Sequence, residues 1–151
     1  MNLQIVLALF SAAIVIVGWR VIYRNALRVA TRNETFTLIR DILATIDKLR
    51  EEGCALWQAE TAHEVEFAWK KLGPDLAALR RSIYNLDASR SVTIPISQLV
   101  SIRRALSMNL EEAGGRDPDK ATQNVAQIFE TSQEFKHQVL KAFAEKYPPK
   151  T

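Results

Sequence analysis

The first twenty-three residues, MNLQIVLALFSAAIVIVGWRVIY, restrict the fold of this chain more than any other stretch. From Leu3 to Trp19 only Gln4, Ser11 and Gly18 interrupt the apolar run, and no charged side chain precedes Arg20. As a helix those residues rise about 25 Å, and running on to Tyr23 adds about 6 Å, enough to cross a hydrocarbon core. Trp19 and Tyr23 then fall in the interfacial belt, and Arg20 reaches out to the headgroups. Residues 1–23 are expected to be a transmembrane anchor.

Other fates for the segment fit less well. A cleaved signal peptide wants a basic start, which Met1–Gln4 lacks, and a small-residue site after the apolar run. Ser11-Ala12-Ala13 has the right residue types but sits in the middle, with Ile14–Val17 still to come. A surface-lying amphipathic helix needs a polar face, and this run is apolar on every side. A buried core helix is a further reading, ranked behind cleavage; it arises because the span is at the short end for a bilayer.

Arg20, Arg24, Arg28 and Arg32 follow at every fourth residue, one slowly drifting stripe on a helix. No Lys or Arg lies on the amino-terminal side. The positive-inside rule therefore expects the amino terminus outside and the remainder in the cytoplasm of a bacterial-type inner membrane. Residues 24–32 form a basic juxtamembrane helix whose expected contacts are the bilayer and its anionic headgroups, each arginine contributing about 1 kcal/mol. Residues 33–151 are long enough to bury a single core. A short anchor with an arginine stripe suits a bacterial or phage origin.

The net charge of +3 misleads if read globally. Outside the four juxtamembrane arginines, 16 Lys and Arg face 17 Asp and Glu, a net of −1. A nearly neutral domain of this kind is a poor candidate for nucleic acid. The lone Cys54 rules out an intramolecular disulfide framework and suits a reducing compartment.

The rest of the chain reads as all-α, an antiparallel bundle of about five helices after the anchor. Nothing between Trp19 and Glu52 is Gly or Pro, so the anchor can run on into the domain as one helix; Thr31-Arg32-Asn33-Glu34, which has the form of a capping box, is a weaker signal for a helix start at Thr31. Ile39, Ile42, Ile46 and Leu49 form an apolar seam, and Gly53 predicts a helix end or kink. Cys54–Leu72 is predicted as a helix with Val65, Trp69 and Leu72 inward, stopped by Gly73-Pro74. Leu76, Leu79, Ile83 and Leu86 line the next, and Asp87–Thr93 reads as a polar loop. Ile94-Pro95-Ile96 interrupts before a helix with Leu99, Ile102, Leu106 and Leu110 inward, ended by Gly114-Gly115. Asp117-Pro118 reads as N-cap and first turn of the last helix, with Val125, Ile128, Phe135, Val139 and Phe143 on one face.

One constellation suggests chemistry. Both histidines end a Glu-x-x-His: Glu60 with His63 and Glu134 with His137. Ferritin-like di-iron bundles use this motif on two helices, with one further Glu from each of two others. Helical phase, however, turns Glu134 and His137 away from the Phe135 face toward water, and no inward carboxylate stands ready to bridge. No metal, no cofactor and no catalytic residue is expected. Cys54 has no cationic neighbour to lower its pKa and is better read as a small core hydrophobe. Leu56, Trp57 and Phe67 would form a partner-docking patch if they were exposed.

The residues thus favour a non-enzymatic scaffold, adaptor or regulator that presents a helical bundle to a protein partner or to copies of itself. A holin- or toxin-like membrane-perturbing protein is the alternative. Against it, the single span has little small-residue packing beyond Ser11/Ala12/Ala13 and carries more folded cargo than a pore former needs. A di-metal carboxylate bundle ranks third.

Overall fold

A computed structural model describes residues 3–59, 61–108, 113 and 117–148. They form four helices, α1 (Leu3–Gln58), α2 (Ala62–Arg90), α3 (Ile96–Ser107) and α4 (Pro118–Lys146), with no strand among the described residues. The chain divides into two compact units, Met1–Thr35 and Phe36–Thr151.

The described residues of the first unit all belong to α1, and nothing interrupts the helix at Thr31. The Thr31 hydroxyl donates to the Leu27 carbonyl at 2.9 Å, the back-bond of a residue inside a helix rather than the acceptor role of an N-cap. The weaker signal for a helix start at Thr31 is therefore overridden, and the anchor runs on as one helix, as the absence of Gly and Pro between Trp19 and Glu52 allows.

In the second unit the apolar seams fall where the sequence puts them. Ile39, Ile42, Ile46 and Leu49 of α1 are fully or almost fully buried, with Leu72, Leu79 and Leu86 of α2, Ile102 and Leu106 of α3, and Ile128, Phe135 and Val139 of α4. The breaks fall elsewhere. Gly53 does not end α1: it lies in the buried seam, where an added Cβ would collide with the Leu106 side chain. Its bare backbone admits α3, and the helix absorbs about 1 kcal/mol of glycine propensity there.

The turn comes instead between Gln58 and Ala62, where Thr61 is a true N-cap. Its hydroxyl accepts from Glu64 N–H at 3.3 Å, and the Glu64 carboxylate accepts from Thr61 N–H at 3.2 Å. From there α2 runs through Gly73-Pro74 as one helix. Proline in a helix interior costs roughly 3 kcal/mol. Val65, Leu72, Leu79, Ile83 and Leu86 keep one phase across it and are buried, at about 1.5–3 kcal/mol each. The seam outweighs the proline.

α2 ends at Ser91, which takes a left-handed conformation (φ 52°) and donates its N–H to the Asp87 carbonyl at 2.9 Å. The predicted polar loop is thus mostly helix, and Val92 and Ile94 beyond it are buried. Asp117 caps α4 as expected, its Oδ1 accepting from Asp119 N–H (3.1 Å) and Lys120 N–H (3.3 Å). Leu110 and Gly114-Gly115 lie outside the described residues. Among the described residues an anchor and five helices become four helices: the joints at Thr31, Gly53 and Gly73-Pro74 are bridged, and one new joint appears between Gln58 and Ala62.

Candidate functional site: the apolar helix and the polar clusters of the bundle

The described apolar side chains of the first unit are uncovered. Phe10, Ile14, Val15, Ile16, Val17, Val21, Ile22, Leu27 and Val29 are all more than half exposed, as are Trp19 (71%) and Tyr23 (60%). This helix is long and apolar enough to cross a membrane, and its apolar window has no buried share. A soluble core helix passes the same length test but is covered by its neighbours, so the uncovered surface argues against the core-helix reading. Arg20, Arg24, Arg28 and Arg32 are exposed on the same element.

The two Glu-x-x-His pairs do not meet in a described site. Glu134 and His137 are exposed on α4, and Glu134 Oε1 accepts from Gln138 Nε2 at 2.6 Å, four residues along its own helix. His63 is exposed in the first turn of α2, and Glu60 lies outside the described residues. Among the described residues no three His, Cys, Asp or Glu side chains converge as metal ligands.

The expected docking patch also dissolves. Leu56 and Trp57 are buried (0% and 5% exposed), and Trp57 Nε1 finds no hydrogen-bond acceptor among the described residues. Both belong to the core, because the seam that begins at Ile39 continues in phase through Gly53 to Leu56. Phe67 alone of the three is exposed, with the Lys71 ammonium 4.4 Å from its ring centroid.

Two polar clusters join the helices of the second unit. Asp47 of α1 receives Lys136 Nζ of α4 at 3.0 and 3.1 Å and pairs with Arg50 at 3.0 Å. Lys48 of α1 pairs with Asp75 of α2 at 2.8 Å. Beside that pair Glu52 has one buried carboxylate oxygen without a hydrogen-bond partner. Burial pushes the Glu52 carboxyl above its ordinary range, and Asp75 acts in the same direction. Glu52, Ala55, Ala59, Glu64, Phe67, Ala68 and Lys71 line an open cleft of about 330 Å³. Burial likewise pushes the half-buried Cys54 thiol up, opposed by the Arg50 guanidinium, a cationic neighbour that the sequence reading missed.

Sequence reading missed the Lys48–Asp75 and Asp47–Lys136 ties. The charges were visible between the apolar positions of α1, but their partners are set by how the helices pack. No protein-family model matches the chain, and no curated protein or solved structure is significantly similar to it.

Proposed function

We propose that the chain is a single-pass membrane protein that holds a helical bundle at the cytoplasmic face of a bacterial-type inner membrane. There the bundle serves as a non-catalytic scaffold, adaptor or regulator for a protein partner. The observation that carries the reading is the uncovered apolar surface between Leu7 and Val29. A helix apolar on all sides and left uncovered by the described residues is stable only in an apolar medium. The arginine stripe supports the inward orientation and a contact with anionic headgroups.

Fractionation tests the reading directly. Intact chain in the membrane pellet after a carbonate wash is the expected result; chain in the supernatant, or a trimmed amino terminus, overturns it. Replacing Arg24, Arg28 and Arg32 with Gln is expected to weaken binding to anionic over neutral liposomes. Crosslinking and capture from membranes with the full chain identifies the partner, and a parallel capture with residues 33–151 reports whether the anchor is needed to meet it.

A further inference from the structure

The residues that break the apolar run are not scattered. Gln4, Ser11 and Gly18 are spaced seven apart, and Asn25 continues the series. Seven residues fall about 20° short of two helical turns, so the four lie on one line that a left-handed supercoil would straighten. Leu7, Ile14 and Val21 run beside that line at the companion heptad spacing. All seven positions are described: Gln4, Ser11, Gly18 and Asn25 are exposed, and so are Leu7 (56%), Ile14 (58%) and Val21 (53%).

The same register identifies the packing seam further along α1. Counting on in sevens from Gln4 reaches Ile39, Ile46 and Gly53, and from Leu7 it reaches Ile42, Leu49 and Leu56. In the second unit every one of these is buried, and an added Cβ at Gly53 would collide with the Leu106 side chain. One heptad register thus faces other helices wherever the chain supplies them. In the first unit the described residues supply none, and an added Cβ at Gly18 would meet no atom within 4 Å.

We propose that the apolar helix of the first unit packs on a second copy of itself, parallel and in register, along Gln4, Ser11, Gly18 and Asn25. The proposal rests on the anchored reading above. Two chains inserted with the same topology are necessarily parallel, so each residue on the line meets its own counterpart. A carboxamide carries both donor and acceptor and is therefore complementary to itself, which suits Gln4 and Asn25 as pairs at the two ends of the contact. Ser11 already donates to the Leu7 carbonyl at 2.9 Å, so it and Gly18 contribute close approach rather than a bond. Arg28 and Arg32 come next in the register and would set like charges together, so the contact ends at Asn25.

Disulfide trapping of the full chain in phosphatidylcholine–phosphatidylglycerol vesicles tests this. In a Cys54→Ser background, Ser11→Cys and Gly18→Cys are expected to give at least fivefold more crosslinked dimer than Leu9→Cys and Ile16→Cys, which lie on the opposite side of the helix. With native Cys54, Gly18→Ile is expected to lower energy transfer between labelled copies at least threefold. The monomer has open space at that position, so such a loss reports on a second copy. Equal crosslinking at all four positions, or no dimer from chain that stays in the carbonate pellet, overturns the contact and leaves the anchor standing. Chain released into the supernatant overturns both.

Discussion

Leu7–Val29 and Ile39–Leu56 are two stretches of one helix with opposite fates. In the first, the apolar side chains lie more than half exposed; in the second, Ile39, Ile42, Ile46, Leu49 and Leu56 are at or near zero. Helix propensity does not separate them. Pattern does: the second stretch interleaves its seam with Arg40, Asp41, Asp47, Lys48 and Arg50, whereas the first has no charge before Arg20. A one-sided helix is completed by other helices of its own chain, and an all-round apolar helix is completed by its surroundings. Changes that strike one stretch should leave the other untouched.

The largest expected effect is in the bundle. Phe135 of α4 is fully buried, and Phe135→Ala should cost about 3–5 kcal/mol of stability. The check is urea or thermal unfolding followed by circular dichroism, with retention in the carbonate pellet expected to stay unchanged. An unfolding transition equal to that of the parent chain would mean that α4 does not close this core.

Ile14→Arg attacks the other stretch. A charge near the centre of a spanning helix costs about 2.5–3.5 kcal/mol on insertion scales. The expected outcome is a shift of chain from pellet to supernatant, with the unfolding of the bundle unmoved. If the apolar run were a core helix of a soluble domain, the same change would instead lower the melting temperature, so this variant separates the two readings.

The seams were legible in the sequence because burial selects one helical phase, and that phase survives whatever else a residue does. The joints were less legible. Thr31-Arg32-Asn33-Glu34 and Thr61-Ala62-His63-Glu64 carry the same capping signature, yet only the second caps a helix. What separates them is the seam: beyond Leu56 its next positions would be Glu60 and His63, which cannot line a core, so the helix stops and restarts. At Gly53 and Pro74 the seam crosses in phase, and local propensity yields to it. The interhelical ion pairs were not readable at all, because charges do not announce partners 89 residues away such as Asp47 and Lys136. The dissolved Leu56–Trp57 patch has the same origin, in that burial belongs to the assembled helices and not to either residue.

Pro74 makes the point quantitatively. It is exposed inside α2 and lacks the N–H that would bond to the Lys70 carbonyl. Pro74→Ala restores the bond and removes the steric conflict, so stability should rise, by up to about 3 kcal/mol. A higher midpoint in urea with an unchanged slope is the expected reading. A loss of stability would mean that the bundle depends on a break there, as Gly73-Pro74 suggests when read without the seam.

The smallest effect lies at the α1–α2 tie and carries a pH signature. Burial and Asp75 raise the Glu52 carboxyl above its ordinary value of 4.5, opposed by Lys48 and Lys71. The folded state therefore holds this proton more tightly than the unfolded chain. Well below pH 4.5 both states are protonated and the group has no differential effect; as pH climbs past that value, ionising a partly buried carboxyl weakens folding. Glu52→Gln keeps the shape and removes the ionisation. Its stability relative to the parent should be near zero at about pH 4 and turn positive toward about pH 7, on the order of a few tenths of a kcal/mol for a site still partly wet. Thermal unfolding at the two pH values reads the difference. The opposite trend, with the variant weaker at the higher pH, would mean that Glu52 is ionised and held chiefly by Lys48, 3.8 Å away. The tie between α1 and α2 would then be a three-membered ion network rather than one Lys48–Asp75 pair beside a carboxyl whose ionisation burial disfavours.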